Sequence, residues 1–515
     1  MKYDPRRLAL PAALAAALAG AGCATSAPST ITVGEADDRI RIDYRSTGPA
    51  EGQVAQERIS ARLREAGGDF EMNSDGGGAF SITLEPGQRV DMYPLVATVG
   101  PDAWFIHGPT LLPNCLGEAA IAGRTSSGRP LTVDCRPEGY AVLEGAAPQV
   151  GRTRVIGPEG SPLAATLRVA ASEVQSELEG RLGRLRVAAA PIGVTVTAGA
   201  PSGLVAHVDR NGTMLFEVRP GFEGLINSEV ARTQVRPLLR HEMFHRWNMA
   251  HAISDGTAPG WLYEGAAEYA AGRLSLEAGD FSEAEYNWLV GAALTRCMAS
   301  AGEGGLASAS RSRTTDYDCG MIAGWALDLD LRGQGADFFA FWKTLLEEAR
   351  SRDGRYGDRD WRALLAARGW KTPTLDRLLA GGAPEAIAAA FASAGADIGY
   401  RPAPADYRRA ILAPALAANC TSRSYGFFDE PDRALLDGDT VCPGLPSQAA
   451  IVSAAGHTLF PDPTDAFVAA RAQCVSGTLS LGLMSGETVS VRCTALPDPP
   501  ASFRVGSVGV PTGRP

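Results

Sequence analysis

The stretch Arg240-His-Glu-Met-Phe-His-Arg-Trp-Asn248 decides the fold of the central part of the chain, because it contains the motif H-E-x-x-H. On a helix, residues four apart lie one above the other on the same face, so the imidazoles of His241 and His245 can reach one metal ion. The carboxylate of Glu242 then lies beside the metal's water and can take its proton. The stretch therefore predicts a helix with two zinc ligands and a general base.

A catalytic zinc ion needs a third protein ligand and one open position. Glu264 follows His245 after eighteen intervening residues, within a segment that predicts a second helix over about 258–276. A second helix packed antiparallel to the first would point Glu264 at the two histidines. Glu268 lies one turn later, where it either accepts a hydrogen bond from a ligand histidine or is a solvated residue. The sequence thus predicts one Zn²⁺ per chain, bound by the two histidines and Glu264.

These residues and their flanks resemble the gluzincin zinc peptidases, and more narrowly the glycyl-aminopeptidase family. The signature H-E-x-x-H-x-W-N is matched through Arg246-Trp-Asn248, and the element W-x-x-E-G-x-x-x-Y is matched by Trp261-Leu-Tyr-Glu-Gly-Ala-Ala-Glu-Tyr269. A tyrosine shortly before a glycine and a helix of the form L-D-L-x-[IL]-R are matched by Tyr317-Asp-Cys-Gly320 and Leu327-Asp-Leu-Asp-Leu-Arg332. The resemblance covers roughly residues 238–346.

The resemblance implies a zinc metallopeptidase of the aminopeptidase type, acting on peptides or proteins through a mainly helical, thermolysin-like catalytic domain. It also implies that Tyr317 donates a hydrogen bond to the oxyanion of the tetrahedral intermediate, a role that suits a phenol because it adds no cation. A zinc endopeptidase and a non-catalytic lipoprotein that binds peptides or partner proteins are the alternatives. The family usually has a lysine where Cys319 stands, and a disulfide from Cys319 to Cys297 would fix the loop that carries Tyr317.

A short strand is predicted over Thr213–Val218, just before the metal helix. In gluzincins an edge strand at such a place pairs with the substrate backbone, so the resemblance makes this strand a candidate for that role. Glu223 and Glu229 lie between the strand and the helix. Each is either a carboxylate that captures a substrate α-amine or a solvated loop residue.

The first 22 residues predict an export signal, since a positively charged start precedes an apolar run that is too short to span a bilayer. The run ends in Ala21-Gly-Cys23, which looks like a bacterial lipobox. Lipidation of Cys23 would make the chain a membrane-anchored lipoprotein of the periplasm or outer membrane. Simple secretion after cleavage near Ser26 is the alternative.

Nine cysteines occur in the chain, and Cys23 leaves eight that fall into sequential couples about twenty positions apart. None forms a C-x-x-C pair, which argues against a cysteine-based zinc or redox site. In an exported chain the economical interpretation is four local disulfides, although eight cysteines allow 105 pairings. The expected pairs are Cys115–Cys135, Cys297–Cys319, Cys420–Cys442 and Cys474–Cys493.

The length of 515 residues and the alternation of patterns predict an α+β multidomain protein. After a tether at residues 23–34, strand-like alternation predicts a β-rich N-terminal domain over 35–160. The zinc peptidase catalytic domain is expected over 161–397 and a small β-rich domain over 398–515. The net charge of −10, spread without long like-charge blocks, argues against a nucleic-acid partner.

The C-terminal region resembles a PDZ-like domain in two short runs, Leu436-Asp-Gly-Asp-Thr440 and Ile451-Val-Ser-Ala-Ala-Gly-His457. A small disulfide-stapled β domain is the alternative. Thr478–Leu483 and Thr488–Arg492 flank a Ser-Gly-Glu turn and predict a hairpin. The last dozen residues, rich in Gly and Pro, are expected to fray.

Overall fold

The structure is a computed structural model, and the chain forms two compact units. The described residues are 29–36, 39–46, 49–65, 70–76, 78–85, 87–90, 93–112, 121–134, 139–145, 153–185, 190–200, 202–302, 304–421, 426–437 and 441–509. The first unit comprises the described parts of Met1–Ala164 and Ala189–Gly224, and the second those of Ala165–Ala188 and Leu225–Pro515.

The first unit consists mainly of strands. Its elements before residue 150 are β1 (Ser29–Ala36), β2 (Arg39–Arg45), α1 (Pro49–Glu65), β3 (Phe70–Gly76), β4 (Ala79–Leu84), β5 (Arg89–Val90), β6 (Tyr93–Pro94), β7 (Val96–Gly100), β8 (Ala103–His107), α2 (Gly108–Leu111), β9 (Ile121–Thr125), β10 (Pro130–Asp134) and β11 (Tyr140–Glu144). Nine of these strands form one sheet in the order β3-β4-β2-β1-β9-β10-β11-β8-β7. Neighbours are antiparallel except β1 and β9, which are parallel.

Burial follows the period of two that strands impose. In β2 the side chains of Ile40 and Ile42 are buried while Arg41 between them is exposed. Helix α1 adds Ile59 and Leu63 to the same apolar core. The predicted tether extends too far, because residues 29–34 belong to β1, which pairs with both β2 and β9.

A second, smaller sheet completes the first unit. It contains β12 (Val155–Ile156), β13 (Ile192–Val196), β14 (Leu204–Val208) and β15 (Met214–Val218), in the order β12-β13-β15-β14, and is followed by α4 (Pro220–Glu223). The expectation that the strand near residues 213–218 is an edge strand is wrong, since β14 pairs with its outer side. Asp209 makes this hairpin possible by accepting the backbone N–H groups of Asn211 and Thr213 in the turn.

The second unit is mainly helical up to residue 394. Its helices and short strands there are α3 (Pro162–Leu182, from Ala165 onwards), α5 (Ser228–Val230), α6 (Arg236–His245), β16 (Ile253–Ser254), α7 (Gly260–Glu277), α8 (Glu283–Ala301), α9 (Arg313–Asp316), α10 (Asp318–Arg332), α11 (Phe338–Ser351), β17 (Arg355–Tyr356), α12 (Asp358–Arg368), α13 (Pro373–Ala380) and α14 (Pro384–Ser393). The predicted second metal-site helix over about 258–276 is confirmed as α7. The predicted range 161–397 is divided between the two units.

The remainder of the second unit contains β18 (Asp397–Pro402), α15 (Pro404–Asn419), β19 (Phe427–Asp429), β20 (Ala434–Leu436), β21 (Ala450–Ala454), β22 (His457–Thr458), α16 (Thr464–Cys474), β23 (Thr478–Leu483), β24 (Thr488–Arg492) and β25 (Ala501–Ser507). The predicted hairpin is confirmed as β23 and β24. Fraying of the last dozen residues is wrong for 504–507, because β25 pairs with β18 and the side-chain amide of Asn287 in α8 donates to the Gly506 carbonyl.

Three of the expected disulfides form, namely Cys297–Cys319, Cys420–Cys442 and Cys474–Cys493. Disulfides of this kind indicate a protein that is not in the reducing cytoplasm. Cys23, Cys115 and Cys135 lie outside the described residues. Within the described part of the chain, no helix has both the length and the apolar character needed to cross a membrane.

The predicted fold class is confirmed in its main features, a β-rich N-terminal part followed by a helical part.

Candidate metal centre

Helix α6 is held rigidly on both sides of the H-E-x-x-H motif. It lies between two π-helical turns, Ala231–Val235 and Arg246–His251, and Pro237, which has no N–H to donate, lies two residues after the first of them. Fully buried apolar side chains anchor the helix and the turn after it: Leu239, Met243, Phe244 and Trp247. The remaining face of the helix carries the histidines.

Arg240 fixes the rotation of α6 directly before the first histidine. Its guanidinium is 1% exposed and donates to Asp280 Oδ2 at 2.5 Å, to Ser275 Oγ at 3.2 Å and to Glu177 Oε2 at 3.1 Å. These partners belong to α3, to α7 and to the loop after α7. A buried arginine with three acceptors from three segments constrains both the position and the rotation of the helix.

The three predicted ligands converge on one point. His241 Nε2 and His245 Nε2 are 3.2 Å apart, and Glu264 Oε2 lies 3.1 Å from His245 Nε2 and 3.4 Å from His241 Nε2. Tetrahedral zinc at its usual bond lengths separates such atoms by about 3.3–3.4 Å. Among the described residues these three form the one His, Cys, Asp and Glu group of three whose ligand atoms meet in this way. The donor set and its spacing therefore fit zinc.

The outer nitrogens of both histidines are also held. His241 Nδ1 lies 2.9 Å from Glu268 Oε2, and His245 Nδ1 lies 2.9 Å from Asn248 Oδ1. Asn248 is fully buried and its amide nitrogen donates to the Tyr263 carbonyl. These contacts leave both Nε2 atoms free to bind a metal. Of the two interpretations of Glu268, this contact favours the hydrogen bond with His241. The contact of Asn248 with His245 is not predicted by the sequence.

Helices α7 and α10 approach each other through glycine. A Cβ on Gly265 would lie 2.0 Å from the Gly320 Cα, so the two backbones touch at this point. Farther along, the Tyr269 hydroxyl donates to Asp328 Oδ2 at 2.7 Å. The glycine directly after Glu264 therefore brings the ligand helix against the helix that follows Tyr317. Both glycines belong to the motifs that carry the family resemblance, but the motifs do not predict that the two residues are in contact.

Tyr317 stands where α9 ends and α10 begins, and its ring lies parallel to the imidazole of His241. The ring centroids are 5.7 Å apart and the planes differ by 5°. Burial raises the pKa of the Tyr317 phenol, and the nearby carboxylates of Glu264 and Glu242 raise it further. The phenol therefore keeps its proton and can donate it in a hydrogen bond.

The electrostatics at the centre favour a cation. Burial opposes protonation of His241, but hydrogen bonds with the carboxylates of Glu264 and Glu268 outweigh it and raise the pKa of His241 well above its ordinary value. Burial has the opposite effect on a carboxyl group and raises the pKa of Glu242, although the positive charge of the two histidines counteracts this rise. The buried carboxylates favour positive charge at the imidazoles. The same electrostatic environment favours a divalent metal ion.

The two carboxylates considered for substrate-amine capture have other surroundings. Glu223 is buried in the first unit and accepts hydrogen bonds from Ser161 Oγ and the Leu163 N–H, so it anchors the start of α3. Glu229 is exposed in the first turn of the short α5. The arrangement favours a structural role for Glu223.

Comparison with known proteins gives a fold and no sequence relative. No protein-family profile matches the sequence, and no curated protein aligns with it. An aminopeptidase N family protein from Idiomarina loihiensis is similar in structure, with a TM-score of 0.54 at 11% identity over 94% of this chain and 100% of the other. At that identity the likeness describes the fold alone.

Two further structures show weaker likeness. Leukotriene A4 hydrolase from Saccharomyces cerevisiae has a TM-score of 0.38 at 11% identity, over 75% of this chain and 71% of the other. A two-domain M1 zinc metallopeptidase bound to L-arginine has a TM-score of 0.35 at 12% identity, over 68% of this chain and 95% of the other.

Proposed function

We propose that the protein is a zinc-dependent metallopeptidase, and more narrowly an aminopeptidase that acts on short peptides. The observation that carries the proposal is the convergence of His241, His245 and Glu264 at the spacing of tetrahedral zinc ligands, with Tyr317 stacked on the same site. Glu242 follows the first ligand and is buried beside it. The shared fold with an aminopeptidase N family protein agrees with this proposal.

In the proposed mechanism the three ligands hold zinc, and the remaining residues handle protons and charge. Zinc, when bound, polarises the scissile carbonyl and lowers the pKa of water. Glu242 accepts the proton of the attacking water and delivers it to the leaving amine. Tyr317 donates to the oxygen that gains negative charge. Glu268 and Asn248 keep both imidazoles in the tautomer that presents Nε2 to the metal.

Replacement of Glu242 by Gln tests the chemistry. The variant should keep one zinc per chain by elemental analysis and lose peptide hydrolysis, because the amide cannot take the proton. Glu347→Gln, an exposed glutamate on α11, serves as the control and should hydrolyse peptides at the wild-type rate. Zinc-loaded wild-type protein that cleaves no member of a peptide library would instead indicate the non-catalytic binding protein.

The aminopeptidase assignment is tested separately with matched peptides. Short peptides with a free α-amine and the same peptides with an acetylated amine are incubated with the zinc enzyme, and products are identified by mass spectrometry. An aminopeptidase releases the first residue from the free-amine series alone. Equal cleavage of both series would establish an endopeptidase.

We further propose that the chain is exported and anchored to a membrane by lipid on Cys23. The three disulfides support export, since they need an oxidising compartment. Cys23→Ser should release the protein from the membrane fraction and abolish incorporation of labelled palmitate in a bacterial host. We also propose that the C-terminal domain is PDZ-like. No nucleic-acid partner is expected.

A further inference from the structure

Tyr317 occupies a position at which two short segments meet. Its backbone N–H donates to the Arg313 carbonyl at 2.9 Å, and its own carbonyl accepts from Met321 N–H at 2.8 Å. The residue thus belongs to the last turn of α9 and the first turn of α10 at once. The direction of its phenol depends on how firmly the start of α10 is held.

Two successive residues after Tyr317 are bound by two successive residues of α8. The Arg296 guanidinium binds the Asp318 carboxylate in a bidentate manner, with Nε to Oδ2 at 3.0 Å and Nη2 to Oδ1 at 2.6 Å. Cys297 forms a disulfide with Cys319, and both cysteines are fully buried. We name these four residues the α8–α10 clamp.

A third contact fixes the same turn from the opposite helix. Gly320, directly after the clamp, touches the backbone of Gly265 in α7, one residue after the metal ligand Glu264. The start of α10 is therefore held between α8 and α7. This contact prevents the turn from moving towards α7. The clamp to α8 therefore opposes movement of the turn along α7 or away from it.

We propose that the α8–α10 clamp is a positioning device for the Tyr317 phenol, a proposal that rests on the zinc peptidase function proposed above. A hydrogen-bond donor stabilises a developing oxyanion best when it is already in place, since no reorganisation is then needed during the reaction. A misplacement of about 1 Å can reduce the rate by ~10²-fold. A covalent bond and a bidentate ion pair directly after Tyr317 restrict such movement.

The other two disulfides provide the contrast. Cys420–Cys442 and Cys474–Cys493 lie in the C-terminal part of the second unit, within the apolar core formed by α15, α16 and their sheet. Neither is adjacent in sequence to a residue of the metal centre. Each can stabilise the fold without affecting the phenol, so they serve as matched controls for the clamp disulfide.

The test is a comparison of two backgrounds, wild type and Tyr317→Phe. The clamp is opened by the pair Cys297→Ala and Cys319→Ala, by Asp318→Asn, or by all three changes together. In the wild-type background each opening should lower kcat by about 10-fold and the combination by up to ~10²-fold, with KM and zinc content unchanged. In the Tyr317→Phe background, which itself loses about 10²–10³-fold, opening the clamp should change kcat by less than about 2-fold.

The control pair Cys474→Ala and Cys493→Ala should leave kcat unchanged in both backgrounds. Equal losses on opening the clamp with and without the phenol would overturn the proposal, because the clamp would then act on something other than Tyr317. Unchanged kcat in the wild-type background would overturn it as well. Asp318→Asn retains the disulfide, so the question can be answered even if the cysteine pair fails to fold.

A measurement without turnover separates this proposal from the peptidase assignment. Hydrogen–deuterium exchange of residues 313–321 in zinc-loaded protein should quicken when the clamp is opened and stay unchanged in the control pair. If wild-type protein hydrolyses no peptide, the proposed function has failed. The exchange measurement alone then tests whether the clamp holds this turn. Unchanged exchange on opening would show that the clamp does not hold this turn.

Discussion

Each unit brings two histidines together with tyrosines and glutamate, but the two clusters balance the carboxylate charge differently. In the first unit His207 is buried and His107 half-buried, whereas both histidines of the metal centre are buried. In the first unit, Arg89 forms an ion pair with Glu217, and His207 Nε2 lies 3.2 Å from the Tyr140 hydroxyl. We call these four residues, together with Tyr93 and His107, the N-terminal histidine cluster. His107 Nδ1 pairs with Thr110 Oγ1 at 2.9 Å. One ring nitrogen of each histidine and one oxygen of the Glu217 carboxylate thus have protein partners.

In the metal centre the carboxylates pair with imidazoles instead of arginine. Glu264 lies between the two Nε2 atoms and Glu268 lies at the outer nitrogen of His241. The consequence is opposite for the imidazoles: the pKa of His241 is raised, whereas burial lowers the pKa of His207 to about 3. The metal centre brings three glutamates to its two imidazoles, whereas the N-terminal histidine cluster has one glutamate, which is paired with Arg89. This excess of carboxylate charge favours a cation at the metal centre.

The largest effect is expected when the candidate metal centre loses Glu264, its proposed anionic ligand. Glu264→Gln should lower zinc content from one per chain to near zero after dialysis and reduce peptide hydrolysis by about 10³-fold or more, because several kcal/mol of metal-derived stabilisation is lost. Elemental analysis and a peptide assay measure both. If Glu264→Gln retained full zinc, this carboxylate would not be the third ligand.

Removal of the arginine from the N-terminal cluster tests the other half of the comparison. Arg89→Met leaves Glu217 buried without its cation, which typically costs about 3–5 kcal/mol of unfolding free energy. Denaturant unfolding at pH 8 measures the loss, and the double variant Arg89→Met with Glu217→Leu should recover much of it. The single variant should still bind no zinc, since the cluster has a single glutamate, and His207 Nε2 and His107 Nδ1 are already paired with hydroxyl groups. Zinc binding by Arg89→Met would contradict this account.

A smaller effect is expected from the groups that orient the metal's imidazoles. Glu268→Gln and Asn248→Ala should each weaken zinc binding by about 10–100-fold, because outer hydrogen bonds set the tautomer and the basicity of a ligand histidine. Competition with a chelator of known affinity measures the change. Glu347→Gln again provides the control, and an unchanged affinity in both variants would mean that the outer contacts do not tune the site.

The sequence predicts the metal centre better than the fold around it. Spacing on a helix suffices to place His241 and His245, and the second helix follows from its apolar pattern. The backbone contact of Gly265 with Gly320 could not be predicted, because a close approach depends on where two distant segments pack. The same limit applies to the edge position of β14, which depends on a turn at Asp209 and on pairing between strands.

The N-terminal histidine cluster could not be predicted from the sequence, for a related reason. Its members come from β5, β6, β8, β11, β14 and β15, most of which are far apart along the chain, and no spacing rule connects them. A local motif such as H-E-x-x-H concentrates its chemistry in one helix. A structural cluster assembled from six strands forms only when the sheets have formed.

The smallest effect is a pH dependence that arises in the N-terminal histidine cluster. His207 is surrounded by Arg89, Glu217, Tyr93, Tyr140 and, less directly, His107. Glu217 lies 3.8 Å from His207 Nδ1, but burial and the charge of Arg89 outweigh it, so the pKa of His207 falls to about 3. The ordinary value in an unfolded chain is about 6.5.

The unfolded chain therefore binds a proton between pH 6.5 and 3 that the folded chain does not. The stability that neutral His207 contributes is complete above pH 6.5 and declines as the pH falls, by at most about 1.4 kcal/mol per pH unit. His207→Gln keeps a polar partner for the Tyr140 hydroxyl but cannot take the proton. Denaturant unfolding from pH 7.5 to 5 should thus show wild type losing stability relative to His207→Gln, whereas parallel curves would mean that His207 is protonated in the folded state as readily as in the unfolded chain.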